Sequence, residues 1–258
     1  RPVRNRCLPA GIRGRYVAFA TLLSICVWRS AWAQPAADGA AAAATPKLEP
    51  ALCQIETRPS VEAAGDKAGK KKARGHLLAA KKAYDAYDFS QALRELRSAY
   101  ELDPQTDILF NIAQTCREGG IDGEALKLYT FILRQNPDPA LKADSERHQA
   151  ALRVKVAKAL DERALEQLKG EHYEQAATAW EDAHKLDPQP LYLFRRANAL
   201  RLLGNVPEAL LAYDRFVAAN PPEDMLKEAR GHMARLRSKQ SAERARNHFK
   251  AEEYTQAM

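Results

Sequence analysis

Phe110, Gln114 and Arg117 stand at i, i+4 and i+7, so on a helix they share one stripe. Phe194, Asn198 and Arg201 repeat that stripe further along the chain, with an amide again in the middle. An aromatic ring, an amide and a guanidinium on one face suit the recognition of an extended peptide. The ring anchors an apolar side chain, the amide bonds the peptide backbone, and the guanidinium takes a carboxylate in two parallel hydrogen bonds. Asn111 and Arg195, each following its phenylalanine, complete the candidate partner-binding set. A plainer reading stands beside this one: Phe110 and Phe194 as core residues, with the arginines on a solvated face.

No comparable case exists for catalysis. The six histidines (His76, His148, His172, His184, His232 and His248) are scattered, without H-x-x-x-H spacing and without a cysteine partner. There is no G-x-S-x-G, H-E-x-x-H or dinucleotide fingerprint. Gly65, Gly69 and Lys70 imitate a phosphate loop, but the spacing is one residue short and no Ser or Thr follows the lysine. The acidic residues lie at cap positions and on helix surfaces, where charge patterning accounts for them. The expectation is a non-enzyme that needs neither metal nor cofactor.

The elements that must position the stripes are read from small residues. Ala92, Ala125, Ala176 and Ala209 are each followed by a large side chain four residues on and a proline twelve residues on: Leu96 and Pro104, Tyr129 and Pro137, Trp180 and Pro188, Tyr213 and Pro221. Twelve residues before each alanine lies another: Ala80, Ala113, Ala164 and Ala197. A fifth copy begins with Ala245 and Ala257. Small residues where two helices cross, a large residue one turn later and a closing proline describe one helix-turn-helix unit made several times. Asp88 with Gln91, and Asn205 with Glu208, have the spacing of a capping box at the start of the second helix.

This spacing resembles the tetratricopeptide repeat, in which an alanine of helix A packs on an alanine of helix B. The resemblance implies an all-α fold, a right-handed α-solenoid of stacked helix pairs whose concave face, lined by the A helices, binds protein or peptide partners. His76 and Ala80 depart from the family's aromatic and glycine in the first unit. Lys81, Asn111 and Lys158 approach the clamp that some members use for a C-terminal carboxylate. Only Asn111 falls cleanly on it, and Glu162 sits where a cation is wanted.

The anchors are unevenly spaced, 33, 51, 33 and then 48 residues apart from Ala92 to Ala257. Each pair of repeats is thus followed by an insert, and pair plus insert make a super-repeat of 84 residues. His148–Arg153 (HQAALR) matches His232–Arg237 (HMARLR) at that offset. With no Gly or Pro for a dozen residues and an apolar period near 3.6, each insert reads as an extra helix, either separate or fused to the next helix A. The organisation is then repeats one and two over 73–137, an inserted helix over 138–156, repeats three and four over 157–221, a second inserted helix over 222–240, and a partial fifth repeat over 241–258. That last helix A carries Phe249 and Tyr254 without a helix B to cover them. It suggests a fragment of a longer chain, and a surface for weak self-association.

Residues 1–33 have the form of a secretory signal. A head of five arginines precedes thirteen apolar-rich residues, Tyr16 to Trp28, and Ala31-Trp32-Ala33 supplies small residues for cleavage. No second apolar run of spanning length follows, so the mature chain has no expected membrane segment. Of 40 basic residues, six arginines lie in this leader with no acid, leaving 34 basic against 33 acidic side chains. A net of +1 removes the case for nucleic acid as partner. Residues 34–72, rich in Ala, Pro and Lys, read as a disordered linker; the basic run from Lys67 to Arg74 is a solvated tether rather than a lipid contact. An oxidising compartment would permit a Cys53–Cys116 disulfide; the simpler reading has Cys116 as a packed hydrophobe and Cys53 as a mobile thiol. The functional expectation is an exported, periplasmic scaffold of a bacterial envelope. The alternative is the docking or regulatory region of a larger envelope enzyme or secretion component.

Overall fold

Every described element is helical, and an alanine at each crossing lets the helices of a pair pack closely. The computed structural model describes residues 48–55 and 67–256, all within the unit Thr45–Met258. The proposed signal sequence, and the linker outside those residues, lie beyond this description. The elements are α1 (Lys67–Asp85), α2 (Phe89–Leu102), α3 (Thr106–Glu118), α4 (Asp122–Arg134), α5 (Pro139–Lys169), α6 (Tyr173–Leu186), α7 (Pro190–Leu203), α8 (Val206–Ala218) and α9 (Glu223–Gln256). No strand occurs among the described residues, and none of their helices is long and apolar enough to cross a membrane. Successive helices pack on one another in an all-α solenoid.

The eight anchor alanines from Ala80 to Ala209 are all fully buried. A methyl group at each crossing lets the two backbones approach, and the large residue one turn on (Leu96, Tyr129, Trp180, Tyr213) fills the space beside it. The turn between A and B is equally regular. Tyr87, Gly120, Glu171 and Gly204 have φ of 61°, 79°, 59° and 84°, each five residues before its anchor alanine. Glycine takes this left-handed conformation freely, whereas Tyr87 and Glu171 adopt it at a cost.

Capping follows the expectation only by half. The Asp88 carboxylate accepts the Gln91 amide at 2.9 Å, and Asn205 Oδ1 accepts that of Glu208 at 3.4 Å. Gln91 does not reach back, however; its side chain donates to Glu95 Oε1 at 2.7 Å. A partner one turn along the helix, held also by His76, competes successfully with the cap backbone.

The inserts are not separate elements. The first is the front half of α5, continuous with helix A of repeat three, and the second is the front half of α9. Along α5 the buried face changes side. Leu141, Ser145 and Leu152 enter one core with α1–α4, while Ala157 and Ala164 enter a second with α6–α8 and the front of α9. Five residues separate Leu152 from Ala157, a rotation of about 140° at roughly 100° per residue. Leu141, Ser145 and Leu152 recur 84 residues on as Met225, Ala229 and Leu236, which close the second core. The back of α9 is exposed throughout from Ser241 to Ala251, and Phe249 is 68% exposed.

The expected linker is ordered in part. Helix α1 begins at Lys67, before the apolar period does, because lysine and alanine are good helix formers. Residues 48–55 lie as a strap against α2, α3 and α4, with a single 3-10 turn at Pro50–Cys53. Leu48 and Cys53 are buried, and Leu52 and Ile55 pack on the same core. Gly119 makes room for the strap: a Cβ there would stand 2.5 Å from Leu48 Cδ2. The Arg97 guanidinium donates to the carbonyls of Ala51, Leu52 and Gln54 at 3.1, 3.1 and 2.9 Å. Cys53 is not a mobile thiol but is disulfide-bonded to Cys116.

Candidate functional site

The two stripes are parts of two larger boxes built alike. In the first, Phe110 and Arg117 of α3 meet Tyr129 of α4 and His148 of α5. The Phe110 and Tyr129 rings meet edge to face at 5.6 Å, and His148 lies 6.0 Å from the first and 5.3 Å from the second. In the second, Phe194 of α7 packs on Tyr213 of α8 at 6.2 Å, and His232 of α9 stacks on that tyrosine at 5.9 Å. Every member recurs at 84 residues: 110 and 194, 114 and 198, 117 and 201, 129 and 213, 148 and 232.

Burial sorts the expected site residues. Phe110 and Phe194 are each 8% exposed and belong to the core, so they do not serve as open anchors. Their side chains fill the step where the insert helix lies over helices A and B. Gln114 is 6% exposed and bonds with the Tyr84 hydroxyl. Asn198 Oδ1 accepts the Tyr213 hydroxyl at 2.6 Å. Asn111 is half-buried, and its carbonyl accepts the Thr115 hydroxyl at 2.7 Å. Arg195 pairs with Asp161, which also accepts Trp180 Nε1 at 2.7 Å and so ties α5, α6 and α7 together. Arg117 and Arg201 remain half-buried at the edge of their boxes, Arg117 in an ion pair with Glu118. The Nε–H of each is buried with no acceptor among the described residues.

The electrostatics follow from the enclosure. Burial pushes Tyr84 up to about 12, aided by the nearby Glu118, and burial likewise raises Tyr129 and Tyr213. Arg117 and Arg201 oppose the rise of their tyrosines. Burial first, then the Arg117 charge, lowers His148 and keeps it neutral. His232 instead approaches Glu228 at 3.4 Å. Each box therefore holds one guanidinium at the edge of its aromatic rings, Arg117 paired with Glu118 in the first and Arg201 in the second, a group suited to taking an anion. No group of three or more His, Cys, Asp or Glu able to hold a metal occurs among the described residues.

Tyr129, Tyr213, His148 and His232 were not expected as site members. The signal was present in the matching HQAALR and HMARLR segments, but only folding places an insert helix against the stripe before it. Lys81 is taken by Asp85 at 2.8 Å, which leaves the carboxylate clamp unassembled there.

A model of the tetratricopeptide repeat matches residues 77–140 and 162–224. These segments are tetratricopeptide repeats. The matched segments end close to where the front halves of α5 and α9 begin, so the inserts stand outside the repeat proper. The chain is similar to the structure described as "Crystal structure of MamA protein", at 15% identity over 57% of this chain and 90% of that one, with a TM-score of 0.25. It is similar also to the "TPR2AB-domain:pHSP90-complex of yeast Sti1", at 16% identity over 67% of this chain and 95% of that one, with a TM-score of 0.29. Likeness at that level carries no argument about binding. None of the curated proteins matches the chain.

Proposed function

We propose that the protein is a non-catalytic scaffold that captures a partner peptide or domain on the face lined by its A helices, with Arg117 and Arg201 as the contacts for acidic groups. One observation carries this reading: the same box of aromatic, amide, guanidinium, tyrosine and histidine is built twice, with a half-buried arginine at its edge each time. Core packing alone requires the rings but not a guanidinium repeated at the same place. A guanidinium at the same place in each box, Arg117 shared with Glu118 and Arg201 without an ion pair among the described residues, suits an extended ligand with two spaced carboxylates. Asn111 and Arg195 flank the boxes and belong to the same surface.

The location belongs to this proposal too. The leader-like residues 1–33 support export, and a disulfide between Cys53 and Cys116 supports an oxidising compartment such as the periplasm. The exposed Phe249 supports weak self-association through α9, for which Phe249→Ser should abolish concentration-dependent light scattering.

The test is capture of envelope proteins on immobilised protein, compared with an Arg117→Ala/Arg201→Ala double variant, followed by titration of the recovered protein in purified form. Binding lost in the double variant, with helicity retained, is the expected result. A purified partner that binds both forms equally sinks the assignment of this face. A partner-free turnover assay that consumes a substrate would overturn the non-catalytic reading.

A further inference from the structure

The strap at residues 48–55 fills a groove between α2, α3 and α4, and the 84-residue repeat builds that groove a second time between α6, α7 and α8. Three strap contacts give the correspondence: Arg97 becomes Glu181, Cys116 becomes Leu200, and Gly119 becomes Leu203. All three counterparts line a cavity of about 230 Å³, with no segment among the described residues seated in it. The first groove shows that a cleft at this place in the repeat takes an extended stretch of chain; in the second, Leu203 fills the space that Gly119 leaves for Leu48, so a ligand lies over that leucine.

The chemistry of the second groove is inverted. Arg97 donates to strap carbonyls, whereas Glu181 can only accept, and Ser90 of α2 corresponds to Glu174 of α6. Glu181 is held by Arg196 at 3.1 Å and Arg215 at 2.9 Å, and Asp182 by Lys185 at 2.8 Å. Those pairings hold α6, α7 and α8 in place and leave Glu174 and Glu208 without an ion pair among the described residues. Both are exposed at the rim. Leu203, 44% exposed, stands where Gly119 admits Leu48, so apolar surface is offered within reach of two free carboxylates.

We infer that the cavity between α6, α7 and α8 is a second peptide-binding groove, for an extended partner segment carrying an aliphatic side chain close to a Lys or Arg. The aliphatic group covers Leu200 and Leu203, and the cation answers Glu174 and Glu208. The groove is separate from the boxes that face His148 and His232, and the Arg117→Ala/Arg201→Ala variant should leave it intact.

The probe is a labelled synthetic peptide of residues 48–55 with Glu49→Lys, Gln54→Lys and Cys53→Ser, titrated into the full chain by fluorescence anisotropy. The control peptide carries only Cys53→Ser. Saturable binding of the cationic peptide, at least tenfold tighter than the control, is expected. Glu174→Lys/Glu208→Lys and, separately, Leu203→Ser should each weaken it at least tenfold, while Leu202→Ser, exposed and outside the cavity, should not. Equal binding of both peptides, no saturable binding, or indifference to the cavity variants with helicity retained would overturn the inference. Self-association lost in the cavity variants, without peptide binding, would assign the groove to a second copy and overturn it equally.

Discussion

At the scale of single residues, the turns and the histidines carry the sharpest consequences. Gly204 sits at φ 84° with nothing within 4 Å of where a Cβ would stand, so the penalty of replacing it is conformational and not steric. Gly204→Ala should cost about 1 kcal/mol and lower the thermal midpoint by roughly 2–4 °C. A scan showing no change would mean that the turn relaxes out of the left-handed region. His148 is held below its ordinary value by burial and by Arg117. The folded state therefore binds fewer protons than the unfolded one, and this contribution is complete above the unfolded value of about 6.5. It is lost as pH falls through the lower folded value. Urea midpoints should drop between pH 7 and 5, and more shallowly in His148→Gln.

At the scale of elements, α5 is the member on which the architecture turns. Its front half closes one core and its back half opens the next, on faces about 140° apart by the helix period. Coupling between the cores runs through this helix and through Leu186, which touches both. Val154 lies at the changeover and is 56% exposed. Val154→Pro should cost about 3 kcal/mol by removing a hydrogen bond and crowding the carbonyl of residue 150. Calorimetry should then resolve two transitions where the parent chain shows one. A single lowered transition would mean that the cores are coupled by contacts other than the continuous helix. The alternation of buried faces also explains why the insert reads as helix from sequence while its fusion does not: the apolar period breaks at the changeover although the backbone does not.

At the scale of the whole molecule, the strap joins the segment before α1 to the first core. The Cys53–Cys116 bond closes a loop spanning 63 residues. Cys53→Ser, or reductant on the parent chain, should lower stability by about 3–4 kcal/mol through the entropy of the unfolded state. Urea titrations with and without reductant check this: the variant should be indifferent to reductant. Equal midpoints in all four measurements would show that Arg97 and the Leu48 contact hold the strap without the covalent bond.

Alanine spacing by itself determined the helix pairs, their number of anchors and the 84-residue super-repeat, because packing two backbones at a crossing admits only a small side chain at each of those points. The Phe, amide and Arg stripes were legible for the same reason, since helical periodicity places them on one face whatever surrounds them. Tertiary structure decided which of those residues remain accessible. The fate of Phe110 depends on where an insert helix some forty residues later comes to rest, and no local pattern encodes that distance. It decided likewise that Leu48 and Cys53 leave a polar, proline-rich stretch for a buried groove. A few apolar side chains are too weak a periodic signal to mark a strap, yet with Arg97 on three carbonyls and a disulfide to Cys116 they suffice to order one.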